Sequence, residues 1–109
     1  GSVSVYTGSA RFYNDTGGTR SIVSVRASVG TAPVGANMIV DVRKNGISAS
    51  NTIFTASGIT IAAGTNTSAS TTGFNSGSSV LSGDYLTIAI TQVGSTTPGS
   101  DLSVVVNWR

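Results

Sequence analysis

The chain has 109 residues, of which 39% are apolar and only 9% charged, six Lys or Arg against four Asp or Glu for a net charge of +2. That length provides one domain with a modest core and no room for a second. The absence of Cys and His excludes disulfides, thiolate and imidazole metal centres and the commonest acid–base side chain. Arg11, Arg20, Arg26, Arg43 and Lys44 are scattered along the chain, without the basic stripe of a nucleic-acid groove, and no apolar run is long enough for a membrane-spanning helix or a signal-peptide core.

Gly1-Ser2 reads as a remnant of cloning, so residues 3–109 are expected to be a single domain excised from a longer protein. Polarity comes from Ser, Thr, Asn and Gly, a composition that suits half-buried strands and tight turns. Ser2 to Thr7 alternates Val3 and Val5 with Ser4 and Tyr6, a short edge strand. Ala10 to Tyr13 is a second short strand, ended by the turn Asn14-Asp15-Thr16-Gly17-Gly18. Arg20 to Val29 carries Val23, Val25, Ala27 and Val29 on one face and Ser24, Arg26 and Ser28 on the other, the period of two of a half-buried strand. A loop with Pro33 separates it from Met38 to Lys44, where Met38, Val40 and Val42 oppose Ile39, Asp41 and Arg43.

Asn45-Gly46 is a type I′ hairpin signal, since both residues accept positive φ. It predicts that part of Ile47 to Thr55 pairs with Met38 to Lys44, with Ser48 to Asn51 bulging or looping before the ladder resumes at Thr52. Ile59 to Ala63 is another short strand, Thr65 to Thr72 an outer strand with few apolar anchors, and Phe74 to Ser79 a loop. The last quarter alternates most clearly: Leu86, Ile88 and Ile90, then Leu102, Val104, Val106 and Trp108. With Pro98-Gly99 placed for a type II turn, it predicts one long antiparallel hairpin from Asp84 to Arg109. No stretch shows helical spacing over ten residues. The fold class that follows is all-β: an antiparallel two-sheet β-sandwich, jelly-roll-like, of seven to eight short strands spaced about 8 to 12 residues apart.

Catalytic chemistry finds little to work with. Asp15, Asp84 and Asp101 stand in turns or at strand entries, where the side chain accepts backbone amide bonds. Asp41 lies mid-strand and is expected to pair with an Arg of a neighbouring strand. The serines have no His to activate them, no loop has the pattern of a phosphate cradle, and no Asp-x-Asp-x-Asp run offers a calcium site. No enzyme activity, cofactor or metal is expected, which leaves binding. Trp108 continues a core-facing series, and one of Phe12 and Tyr13 must face outward because neighbours on a strand point to opposite sides. Tyr85 opposes Leu86 and Ile88, and Phe74 lies in a polar loop. Tyr13, Phe74 and Tyr85 are therefore the candidates for stacking on a sugar ring or filling a subunit contact, with Asn14 and Asp15 in the adjoining turn as polar partners. The apolar Val105 and Ile39, on expected outer faces, suggest a homo-oligomer.

Stretches over most of the chain resemble a β-sandwich module of the tail fibres and minor tail proteins of tailed bacteriophages. They are Ala10-Arg-Phe-Tyr-Asn-Asp-Thr-Gly-Gly-Thr-Arg20, Val25-Arg-Ala-Ser-Val-Gly-Thr-Ala-Pro-Val-Gly35, Ile39-Val-Asp-Val-Arg-Lys-Asn-Gly46, Thr60-Ile-Ala-Ala-Gly-Thr-Asn66, Gly83-Asp-Tyr-Leu-Thr-Ile88 and Gln92-Val-Gly-Ser-Thr-Thr-Pro-Gly-Ser-Asp-Leu102. Ile47 to Asn51 is longer than the corresponding stretch of that family. The resemblance implies a non-enzymatic, receptor-binding or structural domain of an extracellular virion appendage, often a trimer, with host cell-surface glycan as partner. It implies neither nucleic-acid binding nor membrane insertion. The alternative is a carbohydrate-binding module of a secreted bacterial enzyme.

Overall fold

A computed structural model describes residues 2–55, 58–68 and 73–109. Within them run β1 (Tyr6–Tyr13), β2 (Arg20–Ser28), β3 (Met38–Lys44), β4 (Ile59–Ile61), β5 (Ser79–Val80), β6 (Tyr85–Gln92) and β7 (Ser103–Trp108). They form two antiparallel sheets, one ordered β1-β6-β3-β4 and the other β5-β2-β7. The two-sheet sandwich read from the alternation is thus the fold, and the described residues hold no helix beyond 3-10 turns at Ala49–Asn51 and Ser76–Ser78.

Strand partners depart from the sequence reading in two places. The last quarter is no hairpin: β6 lies between β1 and β3 in the larger sheet, whereas β7 pairs with β2 in the smaller one. The link between them crosses from sheet to sheet, and the 30–34 loop satisfies its backbone. Val34 N–H donates to Thr97 at 2.9 Å, Gly30 N–H to Ser100 at 2.9 Å and Ser100 N–H to Thr31 at 3.1 Å. Gly99 does take the positive φ foreseen for it, 103°, yet the Ser100 amide serves Thr31 instead of closing a β6–β7 turn.

Asn45-Gly46 also reverses the chain, but only Asn45 takes the positive φ, 57°, and Gly46 does not, so the turn is not the type I′ expected, and the following residues leave the sheet edge. Ser48 to Asn51 loops out and contact with β3 resumes at Thr52 and Ile53, as the sequence reading has it, through an Arg43–Thr52 bridge and an Ile53 N–H bond to Val42 at 3.0 Å. Most of β3 is paired instead with β6 and β4. The two short strands expected before residue 14 are one, β1, whose register against β6 slips between Thr7 and Arg11. Of the outer strand expected at Thr65 to Thr72, residues 65–68 run beside β2, with Val29 N–H donating to Asn66 and Ser68 N–H to Ala27; residues 69–72, like Gly1, lie outside the described residues.

Apolar side chains at every second position meet between the sheets. Val25 and Ala27 of β2, Met38, Val40 and Val42 of β3, and Leu86, Ile88 and Ile90 of β6 are buried together with Ile53, Phe54, Ile61 and Val80. Full burial of each large aliphatic among them contributes about 1.5–3 kcal/mol. The smaller sheet has one strand fewer, and it leaves the β1 end of its partner uncovered. Tyr6 and Phe12 stand opposite Ile90 and Leu86 and so on the inner face, yet they are 53% and 48% exposed. Along that side the sandwich opens into an apolar groove of about 400 Å³, lined by Phe12, Leu86, Ile88, Val104, Val106 and Trp108. Trp108 therefore packs on the core, as its place in the alternation requires, but is only half-buried.

The outer face of the larger sheet is also covered in part. Residues 46–52 fold back across β3 and β6. Arg43 Nη1 donates to the Ile47 carbonyl at 2.7 Å, and the Thr87 hydroxyl to the Gly46 carbonyl at 2.7 Å. Under this cover Asp41, Arg43, Thr87 and Ala89 are buried, although they point away from the core. The cover reaches β1 at Gly8, where an added Cβ would stand 2.8 Å from Ile47 Cγ2. Beyond Gly8, the Arg11 to Tyr13 end of β1 is exposed.

Candidate functional site

The uncovered end of the outer face carries the site. β1 and β6 are paired so that Tyr13 lies opposite Tyr85 and Arg11 opposite Thr87, and alternation places Arg11, Tyr13 and Tyr85 on one surface. The two tyrosine rings are 5.5 Å apart between centroids and tilted by 46°, within the range of favourable aromatic pairs. Arg11 ties them together. Its guanidinium carbon sits 4.5 Å from the centroid of the Tyr85 ring, and Nη1 donates to the Tyr13 hydroxyl at 3.5 Å. The bond to Tyr13, and then the field of the Tyr85 hydroxyl, raise the Arg11 pKa above its ordinary value, so this cation is permanent. Tyr13 is half exposed and Arg11 exposed, while Tyr85 is partly covered by them.

The turn residues before β6 fix this surface from below. Asn45 Oδ1 accepts the Tyr85 N–H at 3.1 Å, and Asn45 Nδ2 donates to Asp84 Oδ1 at 3.0 Å. Asp84 Oδ2 accepts the Leu81 N–H at 3.0 Å. The bond from Asn45 is the larger cause, and that from Leu81 the second, of an Asp84 pKa held below the usual carboxylate range. Asp84 thus has the turn role read for it, and its carboxylate is committed to local geometry.

The structure brings Tyr13 and Tyr85 together; Phe74 lies elsewhere, and Asn14, beside Tyr13, is turned inward. Phe74 is not a surface residue of a polar loop. Its ring stacks on Phe54 at 5.7 Å and 29°, and it packs against the core. Asn14 is fully buried. Its Nδ2 donates to the Gly18 and Val80 carbonyls at 2.9 and 2.8 Å, and its Oδ1 accepts the Thr16 N–H and hydroxyl. An amide with all its capacity used internally pins the turn to β5 and has none left for a ligand. Asp15 is exposed in the same turn. Arg11 was read as one of the scattered cations; the signal that would have found it is its spacing of two from Tyr13, which puts both on one strand face.

Asp41 is buried, and its partner is on its own strand: Arg43 Nε donates to Oδ2 at 2.9 Å, and the Thr52 hydroxyl donates to Oδ1. The expectation of a neighbouring-strand Arg is corrected by this i, i+2 pairing, which the covering loop encloses. A polar cleft of about 340 Å³ lies between Lys44, Asn51, Thr52 and Asn75. Its polar groups hold the loops: Lys44 Nζ donates to the Ser79 carbonyl, and Asn75 Nδ2 donates to the Thr52 and Phe54 carbonyls. Among the described residues, no three of Asp, Glu, His and Cys gather as metal ligands, and no helix is long and apolar enough to cross a membrane. Compared with protein-family models, curated proteins and solved structures, the chain matches none.

Proposed function

We propose that this chain is a non-enzymatic binding domain of a bacteriophage tail fibre or minor tail protein, and that the Arg11–Tyr13–Tyr85 surface docks a host cell-surface glycan. The observation that carries the reading is the aromatic pair, held outward on rigid strands with a guanidinium bridging both rings. An aromatic face fits the apolar C–H face of a pyranose, while the Arg11 fork and the Tyr13 hydroxyl supply directional hydrogen bonds to sugar oxygens. Rigid strands keep the ordering cost of such a contact small. The virion setting rests on the resemblance of the turn and strand motifs. The non-enzymatic part is supported by Asp41 and Asp84 both being spent on structural partners.

A glycan array with the purified domain tests the proposal, followed by titration of any hit against Tyr85→Ala and Arg11→Ala. Each substitution is expected to weaken binding tenfold or more, about 1.4 kcal/mol, with the circular dichroism spectrum unchanged. Binding that survives both variants would move the site elsewhere. Polysaccharide hydrolysis abolished by Asp41→Asn would overturn the non-enzymatic reading.

A further inference from the structure

The two exposed sheet edges on the open side of the sandwich differ in a way that points to a partner. β1 is interrupted: residues between Thr7 and Arg11 bulge out of register with β6, and Arg11 projects from its exposed end. Bulges and charges are the usual means of keeping an edge from pairing. β7 has no such protection. It is the last strand of its sheet, with no strand beyond it among the described residues, and residues 102–108 contain no charge and no proline. The irregularity opposite it falls on β2, between Ile22 and Ser24, while β7 itself runs straight.

The backbone bonds show what that edge offers. Ser21 and Arg109 exchange both N–H to carbonyl bonds, at 2.9 and 3.0 Å, so in β7 the odd-numbered residues bond inward to β2 and the even-numbered ones point to the open edge. Pairing a second β7 antiparallel across that edge in a register centred on Val105 sets Val104 against the partner's Val106. In the same register Leu102 faces Trp108 and Ser103 faces Asn107. Each of these rows is complementary: apolar on the inner face, hydroxyl to amide and valine to valine on the outer face. A one-residue slip would turn core-facing groups outward on one copy.

We propose that β7 pairs with β7 of a second copy of this chain about a two-fold axis at Val105, joining two three-stranded sheets into one of six. The pairing places the partner's Val106 and Trp108 beside the open side of the apolar groove. It continues the smaller sheet on the side where Tyr6 and Phe12 lack cover. A self-complementary edge gives a closed dimer, whereas a trimer such as the resemblance implies needs a head-to-tail contact between unlike surfaces. The proposal is independent of the glycan site, which lies on the outer face of the other sheet.

The chain has no cysteine, so single-cysteine variants report the register directly. Sedimentation equilibrium of the unmodified domain at tens of micromolar is expected to show a dimer. Val105→Cys is expected to oxidise to a disulfide-linked dimer, because residues opposite in a non-hydrogen-bonded antiparallel pair have Cα atoms about 4.5 Å apart, within disulfide reach. Ser103→Cys alone should not link, yet its mixture with Asn107→Cys should. Val105→Lys, at a half-exposed position that leaves the monomer fold intact, should weaken dimerisation at least tenfold. A monomer or a trimer for the unmodified domain, or Ser103→Cys linking as readily as Val105→Cys, would overturn the proposal.

Discussion

One face of one sheet is used in two ways. At its middle, Asp41 and Arg43 form an ion pair beneath the 46–52 loop, where the Thr52 hydroxyl donates to Asp41 and the Ile47 carbonyl accepts from Arg43. At its β1 end, Arg11, Tyr13 and Tyr85 form a charged and aromatic cluster that nothing described covers. Arg43 and Arg11 even share a row, each opposite Thr87 from its own side. What separates the enclosed arginine from the exposed one is therefore neither strand position nor residue type but whether the loop after Asn45-Gly46 reaches it. Covered, the cation is committed to its partners; uncovered, it is available to a ligand.

Removing the carboxylate from the covered region should produce the largest effect. Asp41→Ala leaves the Arg43 guanidinium buried without its counter-charge and is expected to cost about 3–5 kcal/mol, a large part of the roughly 5–15 kcal/mol available to a domain. Urea denaturation measures it, and a cost under about 1 kcal/mol would show that the pair is solvated and the cover loose. Next comes the junction where the cover meets β1. Gly8 has φ 71°, and an added Cβ meets Ile47 at 2.8 Å, so Gly8→Ala is expected to cost about 1–3 kcal/mol in backbone strain, plus the clash. Adding Ile47→Ala should return the steric part and leave the backbone part, which separates the two. In the uncovered region Tyr13→Ala should cost about 1 kcal/mol of stability or less, since the ring is half exposed, while removing the proposed glycan binding. Equal losses of stability from Tyr13→Ala and Asp41→Ala would abolish the distinction between the regions.

The sequence carries one half of this comparison more openly than the other. Alternation identifies the strands and sends Tyr13 and Tyr85 outward, because side-chain direction along a strand depends only on parity. It does not say which strands are neighbours. Leu86–Ile90 and Val104–Trp108 read as two arms of a hairpin, yet β6 binds β1 and β3 while β7 binds β2. The choice was made by contacts distant in sequence, the Val34–Thr97 and Thr31–Ser100 bonds that hold the link across the sheets. The loop at Ser48 to Asn51 is legible as a loop, but where it folds is not: its hold on β3 and β6 runs through the Gly46 and Ile47 carbonyls, which any residues supply, and through the Thr52 hydroxyl on Asp41. Asn14 and Phe74 misled because a turn asparagine and a phenylalanine flanked by polar residues look exposed. Only the distant Val80 carbonyl and Phe54 ring draw them inward.

The smallest effect sits where the two regions meet, at the turn that precedes Tyr85. Asp84 is exposed enough that its contribution is screened, but its carboxylate accepts from Asn45 and Leu81, and its pKa is lowered accordingly. A lowered carboxylate pKa means that the unfolded chain takes up the proton more readily. The stabilisation is present in full above the ordinary aspartate value of about 3.9 and is lost as pH falls through the lower value of the folded state. The melting temperature should thus decline with acid in this window, and Asp84→Asn should flatten the decline, since an amide oxygen still accepts the Leu81 N–H but does not titrate. Because Asn45 also holds the Tyr85 amide, the same acidification should loosen the Arg11–Tyr13–Tyr85 surface. Tyrosine fluorescence followed against far-ultraviolet circular dichroism between neutral pH and the acid limb checks this: the fluorescence should change ahead of the unfolding transition, and coincident transitions would mean that this surface yields only with the whole fold.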